Sequence, residues 1–171
     1  LIMSLKASFV SFLTQKYPAL DAYLLSPLVA DELLSPFQIA LSAAQIENLK
    51  SEILQYWKLR EWGEKHLAAD YKKLGLRVPG NYSACMSYDF HINAEGLPEL
   101  IEVNTNAAFL ALGLELYDFL NLPNPAGSFD RRALIGMFKE EMTLAGKPGH
   151  SIAIMDEKPE GQRLYAEFLL Y

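Results

Sequence analysis

The chain has 171 residues, of which 51% are hydrophobic and 21% are charged, and its formal net charge is −6. This composition excludes an intrinsically disordered chain, because disorder requires low hydrophobicity together with high net charge. The excess of acidic over basic residues argues against a nucleic-acid partner or an anionic membrane, since both require a basic face. The single cysteine, Cys85, has no internal disulfide partner, so we expect a reducing, cytoplasmic setting.

Neither a membrane-spanning helix nor a secretory signal is expected. The most apolar run, residues 107–120, is interrupted by Glu115 and Asp118 and is shorter than the roughly 20 residues that a spanning helix needs. The first residues lack the basic region and apolar core of a secretory signal. The chain begins with Leu1 and ends at Tyr171 inside a predicted helix, so we expect a piece of a longer protein.

The first half of the chain is predicted to be mainly helical, because its apolar residues recur at steps of three and four. Ser42 and Gln45 have the spacing of a capping box at the start of the longest helix. Gly63 is expected to interrupt that helix, and residues 37–41 are a candidate strand. Residues 26–36, bracketed by two Ser-Pro pairs, receive no assignment. The predicted helices cover residues 5–17, 43–62 and a further stretch that ends at 74, before Gly75.

A change to a two-residue period predicts a β-hairpin near residues 84–104. Apolar and polar residues alternate along both arms, and residues 93–98 between them are rich in Asn, Gly and Pro, which favour turns. The apolar face that we expect to pack inward consists of Tyr88, Phe90, Ile101 and Val103.

The residues after the hairpin predict helices at 107–119 and 129–144, a buried strand at 151–155 and a last helix at 161–171. The last strand and helix have the order expected at the start of a βα unit. The whole pattern predicts an α+β (α/β) fold in which N-terminal helices pack on a small antiparallel sheet. Residues 1–150 would form the helical and hairpin part, and residues 151–171 the beginning of an α/β subdomain.

The second face of the hairpin, which we call the polar face, carries the candidate site. Side chains alternate along a strand, so Ser87, Asp89 and His91 share this face with Glu102 and Asn104. One register places Asp89 opposite Glu102 and Ser87 opposite Asn104. A slip of two residues would place His91 opposite Glu102 and leave the faces unchanged.

Two carboxylates that face each other across a strand pair destabilise it. Full solvation, a shared proton or a bound cation would each offset this repulsion. Mg²⁺ favours oxygen ligands from carboxylates, phosphates and water, which suits Asp, Glu and Asn side chains together. A solvated polar face of an edge hairpin explains the same pattern without a ligand, and both explanations stay open at this point.

Two stretches resemble the metal-binding hairpin of the ATP-grasp ligases with permuted topology: residues 89–91, Asp-Phe-His, and residues 98–107, Pro-Glu-Leu-Ile-Glu-Val-Asn-Thr-Asn-Ala. This group includes the eukaryotic-type glutathione synthetases and the glutathionylspermidine synthetase-like enzymes. Residues 151–156 and the helix that follows also resemble the opening of the family's inserted α/β subdomain. The resemblance implies that Mg²⁺ ions bridging the phosphates of ATP bind to Asp89, Glu102 and Asn104.

The resemblance also implies an activity, that of an ATP-dependent carboxylate–amine ligase. Such an enzyme uses Mg-ATP to convert a small carboxylate into an acyl phosphate, which an amine then converts into an amide. The residues implied to contact substrate are Asn106, His91 and Ser87. The resemblance names no catalytic residue in this chain, and neither the acid, the amine nor the oligomeric state follows from it.

Two departures from the family pattern bear on activity. Ser87 stands where the family usually has an Arg that steadies the transferred phosphoryl group, and a hydroxyl supplies neither its charge nor its planar fork. The family's ATP-binding lysines would lie beyond Tyr171, so we expect this chain alone to be inactive. A non-catalytic binding or scaffold protein of the same fold is therefore the alternative, and an unrelated α+β domain whose hairpin mimics the motif is a third explanation.

Overall fold

A computed structural model of the chain describes residues 4–29, 31–35, 37–76, 83–105, 107–125, 127–146 and 151–171. It confirms the predicted α+β class. The helices are α1 (Leu5–Lys16), α2 (Ala22–Leu28), α3 (Ala43–Lys73), α4 (Leu110–Phe119), α5 (Arg131–Leu144) and α6 (Tyr165–Leu170). Short 3-10 helices lie at Asp31–Leu33 and Pro159–Gly161. The strands β1 (Ser87–Ile92) and β2 (Pro98–Asn104) form the predicted antiparallel hairpin.

The chain divides into two compact units. The first unit combines Leu1–Gln38 with Ala107–Tyr171, and the second unit is Ile39–Asn106. The hairpin and α3 therefore belong to one unit, whereas α1 and α2 belong to the other. The expectation that the N-terminal helices pack on the sheet is met by α3, which contacts β2.

The first unit has an apolar core built from α1, α2, α4 and α6. Ser4 caps α1, because its side chain accepts a hydrogen bond from the Ala7 N–H at 3.2 Å. The ring of Phe119 packs on two rings of α1, with centroids 5.1 Å from Phe9 and 5.5 Å from Phe12. The fully buried apolar side chains of this core include Phe9, Leu13, Leu25, Val29 and Leu112.

A buried carboxylate caps α4 from a distant part of the chain. Glu167 on α6 is 0% exposed and accepts hydrogen bonds from the N–H groups of Ala111 at 3.0 Å and Leu112 at 3.1 Å. Phe109, at the N-cap position of α4, provides no side-chain hydrogen bond. The first N–H groups of a helix have no partner within it. A negative charge near them also interacts favourably with the positive end of the helix dipole. Glu167 therefore replaces the missing local cap.

In the second unit, α3 is one continuous helix of 31 residues. Ser42 and Gln45 form the predicted capping box. The predicted break at Gly63 is wrong: a glycine costs about 1 kcal/mol relative to alanine inside a helix but still donates and accepts its helical hydrogen bonds. The helix ends before Gly75, as expected, because Gly75 has φ 65° and the Leu76 N–H donates to the Tyr71 carbonyl at 2.9 Å.

Two other sequence-based assignments are corrected. Residues 37–41 and 151–155 do not form strands, so the predicted strand of the βα unit is absent and α6 alone represents that unit. A short apolar run makes a strand only when another segment supplies hydrogen-bond partners for its backbone. Ile152 remains 57% exposed and Met155 90% exposed in the described structure. The unassigned residues 26–36 include the end of α2, with Pro27 inside that helix, and the 3-10 helix Asp31–Leu33.

We expect Glu167→Ala to lower the free energy of unfolding by about 3 kcal/mol, because two buried N–H donors lose a charged acceptor. Glu167→Gln keeps one oxygen acceptor and should cost less. Urea denaturation measures both, with Glu160→Ala as a control at an exposed site. Equal effects of Glu167→Ala and Glu160→Ala would contradict the capping role.

Candidate functional site

The register of the hairpin brings the predicted acidic residues together. Ser87 pairs with Asn104, and Asp89 pairs with Glu102. The alternative register, in which His91 would face Glu102, does not occur. The two carboxylates therefore share one position of the ladder on the polar face.

A one-residue shift in register follows immediately after this pair. Phe90 pairs with Leu100 and not with Ile101, which has no partner on β1. Ile101 is the extra residue of a β-bulge and is 65% exposed. The expectation that Ile101 packs inward is wrong, since Leu100 takes that position. The consecutive apolar residues at 100 and 101, which break the alternation, were the available signal.

The amide of Asn104 links the two carboxylates. Its Nδ2 donates to Glu102 Oε1 at 3.0 Å and to Asp89 Oδ2 at 3.4 Å. Ser87 Oγ donates to the other oxygen of Asp89, Oδ1, at 2.8 Å. Asp89 and Ser87 are half-buried, whereas Glu102 and Asn104 are exposed. Neutral donors therefore offset part of the repulsion between the carboxylates, an arrangement not among the three that the sequence suggested.

A second polar pair lies further along the same strands. His91 Nε2 is 3.1 Å from Glu99 Oε2, and Asn93 Nδ2 donates to Glu99 Oε1 at 2.9 Å. Asn93 Oδ1 in turn accepts from the N–H groups of Glu95 and Leu97 in the turn. Glu99 was not among the predicted site residues, because regular alternation would place it on the face opposite Glu102. The bulge reverses that parity and brings Glu99 beside His91.

The chemistry of the donor set fits Mg²⁺. Two carboxylates and an amide oxygen are hard oxygen ligands of the type that Mg²⁺ prefers. Rotation of the Asn104 amide would turn its oxygen, and not its nitrogen, towards the carboxylates. Among the described residues, no group of three or more His, Cys, Asp or Glu side chains is arranged to hold a metal. A site here therefore depends on Asn104 as its third ligand.

The other predicted substrate contacts have different outcomes. Ser87 lies on the polar face and is engaged with Asp89, and His91 is engaged with Glu99. Asn106 lies outside the described residues, so its predicted substrate contact stays a prediction.

A polar cluster in the first unit, which was also not predicted from the sequence, joins α1 to α4. Lys16 Nζ lies 2.6 Å from Glu115 Oε2 and 2.7 Å from Asp118 Oδ2, and the Tyr17 hydroxyl donates to Glu115. The Arg131 guanidinium carbon lies 4.6 Å from the centroid of the Tyr17 ring. These contacts link residues about a hundred positions apart, and no local pattern indicates them.

The protonation of this cluster follows from its contacts. Burial of Lys16 acts to lower the pKa of its ammonium group, but the hydrogen bonds to Asp118 and Glu115 outweigh it and raise that pKa above 10.5. Burial and the hydrogen bond to Glu115 together raise the pKa of the Tyr17 hydroxyl above 10.0. Lys16 thus stays a cation and Tyr17 a donor at neutral pH, and we interpret the cluster as a structural cross-link.

Comparisons with protein-family profiles, with curated proteins and with solved structures find no match to this chain. The resemblance to the ATP-grasp ligases therefore depends on the residues of the hairpin and of the segment at 151–156. Among the described residues, no helix is long and apolar enough to cross a membrane.

Proposed function

We propose that the polar face is the Mg²⁺-binding part of an ATP-dependent carboxylate–amine ligase. The observation that carries the proposal is the cross-strand pair of Asp89 and Glu102, with the Asn104 amide in contact with both carboxylates. A solvated face alone would require no such convergence. The Glu-x-Asn sequence of β2, by which the chain resembles the ligases, supplies two of the three side chains.

In this proposal Asp89, Glu102 and Asn104 hold the ion. When bound, Mg²⁺ neutralises the charge on the phosphates of ATP and orients the group to be transferred. The hydrogen bond from Ser87 fixes one oxygen of Asp89 and leaves the other towards Asn104 and Glu102. Half-burial of Asp89 also restricts its rotamers, so Asp89 supplies the more rigid ligand. The exposed side chain of Glu102 is free to change rotamer and adapts to the ion.

The reaction class follows from the proposed family. The γ-phosphoryl group of ATP passes to an oxygen of a small carboxylate, and ADP leaves. The nitrogen of an amine then attacks the acyl carbon, and inorganic phosphate leaves as the amide forms. We assign this chain the metal ligands, with His91 and Asn106 as substrate contacts, and we place nucleotide binding outside these 171 residues. The single cysteine is compatible with the cytoplasm.

The His91–Glu99 pair lies two residues along β1 from Asp89, which is about 7 Å in an extended strand. Glu99 accepts from Asn93, which is itself held by two N–H groups of the turn. A carboxylate fixed in this way orients the imidazole beside it. His91 is thus positioned to contact a substrate held near the ion.

We expect Mn²⁺, used as a paramagnetic substitute for Mg²⁺, to broaden the amide resonances of Asp89, Glu102 and their neighbours selectively, and excess Mg²⁺ to reverse the broadening. Asp89→Asn should weaken this effect about tenfold, because it removes one of two anionic ligands. The matched control is Glu95→Gln, which removes the same charge from the turn. Two-dimensional ¹H–¹⁵N NMR of the chain measures all three proteins. Equal broadening in Asp89→Asn and Glu95→Gln would show diffuse attraction to an acidic surface and would refute the site.

A second candidate function, a non-catalytic binding or scaffold protein of the same fold, is favoured by one observation. The hydroxyl of Ser87 and the amide of Asn104 already donate to the carboxylates. The face is therefore stabilised without an ion, and the position at which the ligases carry an Arg is occupied by a neutral group.

The substitution Ser87→Arg distinguishes the two functions. If the protein is a ligase, a guanidinium at this position should raise the rate of ATP turnover by about tenfold or more, because it stabilises charge on the transferred phosphoryl group. Phosphate release from ATP is measured on the longer protein that, in this proposal, supplies nucleotide binding, with Ser51→Arg on exposed α3 as the control. Turnover at background level in the natural protein and in both variants would favour the scaffold.

A further inference from the structure

A cleft lies between α3 and the apolar face of the hairpin, within the second unit. Its volume is about 470 Å³, which falls in the range of small-molecule sites. Aromatic, aliphatic and hydroxyl-bearing side chains line it, together with one guanidinium group. Those that matter for recognition are Tyr56, Trp57, Arg60, Tyr88, Leu100 and Val103.

Flat rings form much of the wall. Tyr56 and Trp57 are consecutive on α3, and Tyr88 lies on β1. The ring of Tyr56 also packs against Phe90, with centroids 6.4 Å apart, which ties this part of α3 to the strand. Aromatic walls of this kind favour a flat ligand, because stacked and edge-to-face ring pairs gain energy beyond the area that they bury.

Arg60 gives the cleft a positive charge. Its guanidinium carbon lies 4.1 Å from the centroid of the Trp57 ring. Among the described residues that line the cleft, Arg60 is the one with a positively charged side chain. The planar fork of a guanidinium matches the two oxygens of a carboxylate. The protein as a whole has a net charge of −6, so the charge of Arg60 is opposite in sign to the net charge of the chain.

We infer that this cleft binds a small aromatic carboxylate, with its ring among Tyr56, Trp57 and Tyr88 and its carboxylate on Arg60. The ligand class follows from the combination of flat apolar walls with a single planar cation. The cleft adjoins the opposite side of the sheet from Asp89 and Glu102. The inference therefore goes beyond the proposed ligase function and does not depend on it.

The test uses two probes of nearly equal shape, the anion 2-naphthoate and its neutral analogue 2-naphthamide. The indole N–H resonance of Trp57 should shift saturably with 2-naphthoate at concentrations below about 1 mM, which is reasonable for a ligand of this size. Trp62, which is 60% exposed on the same helix, is an internal control, and its indole N–H resonance should not shift with the ligand. The amide probe should bind about tenfold more weakly, since it lacks the charge that pairs with Arg60.

Substitutions separate charge from shape. Arg60→Met should weaken 2-naphthoate about tenfold and leave 2-naphthamide unchanged, whereas Lys58→Met, at an exposed position two residues away, should change neither. If Arg60→Met does not fold, the difference in affinity between the two probes on the unaltered chain still tests whether the cleft recognises a carboxylate. No saturable shift of Trp57, equal affinity for both probes, or an equal response of Trp62 would each overturn the inference.

Discussion

Two carboxylates that oppose each other across one rung of a hairpin are the constraint on which the functional interpretation depends. Asp89 and Glu102 repel each other, yet the antiparallel register places them side by side. Asn104 relieves the strain by donating to both, and Ser87 holds the far oxygen of Asp89. A neutral amide and a bound cation are alternative solutions to the same electrostatic problem. In the proposed metal site, rotation of one amide group connects the two.

The β-bulge at Ile101 determines what both faces of the hairpin present. One unpaired residue in β2 moves Leu100 to the apolar side, where it lines the cleft, and moves Glu99 to the polar side, where it contacts His91. Without the bulge, Glu99 and Glu102 would lie on opposite faces of the strand. The contact between His91 and Glu99 and the Leu100 wall of the aromatic cleft thus depend on the same local irregularity.

The elements that sequence could predict are those with a strong local signal. The capping box of Ser42 and Gln45 marked the start of α3, and the two-residue period predicted the hairpin and the side chains of its polar face. It left two registers open, of which the structure has the one that pairs Asp89 with Glu102. The bulge was missed because strict alternation was assumed through Leu100 and Ile101. The strand assigned to residues 151–155 was wrong because an apolar run does not by itself supply the neighbouring strand that its backbone needs.

The interactions that escaped prediction entirely are long-range. Glu167 caps a helix more than fifty residues earlier, and Lys16 contacts Glu115 across about a hundred residues. Both carboxylates belong to helices whose local pattern identifies them only as acidic residues. Tertiary packing, and not any short motif, decides that each is buried and which donors it meets.

The most direct test of the hairpin is its register in solution, measured as cross-strand nuclear Overhauser contacts between backbone protons. We expect contacts that join Asp89 to Glu102 and Phe90 to Leu100, with Ile101 lacking a cross-strand neighbour. Contacts that join Phe90 to Ile101 would show a regular ladder without the bulge. That result would remove Glu99 from the polar face and Leu100 from the cleft, and would contradict the cleft and the positioning of His91. Absence of the contacts that join Asp89 to Glu102 would contradict the proposed metal site.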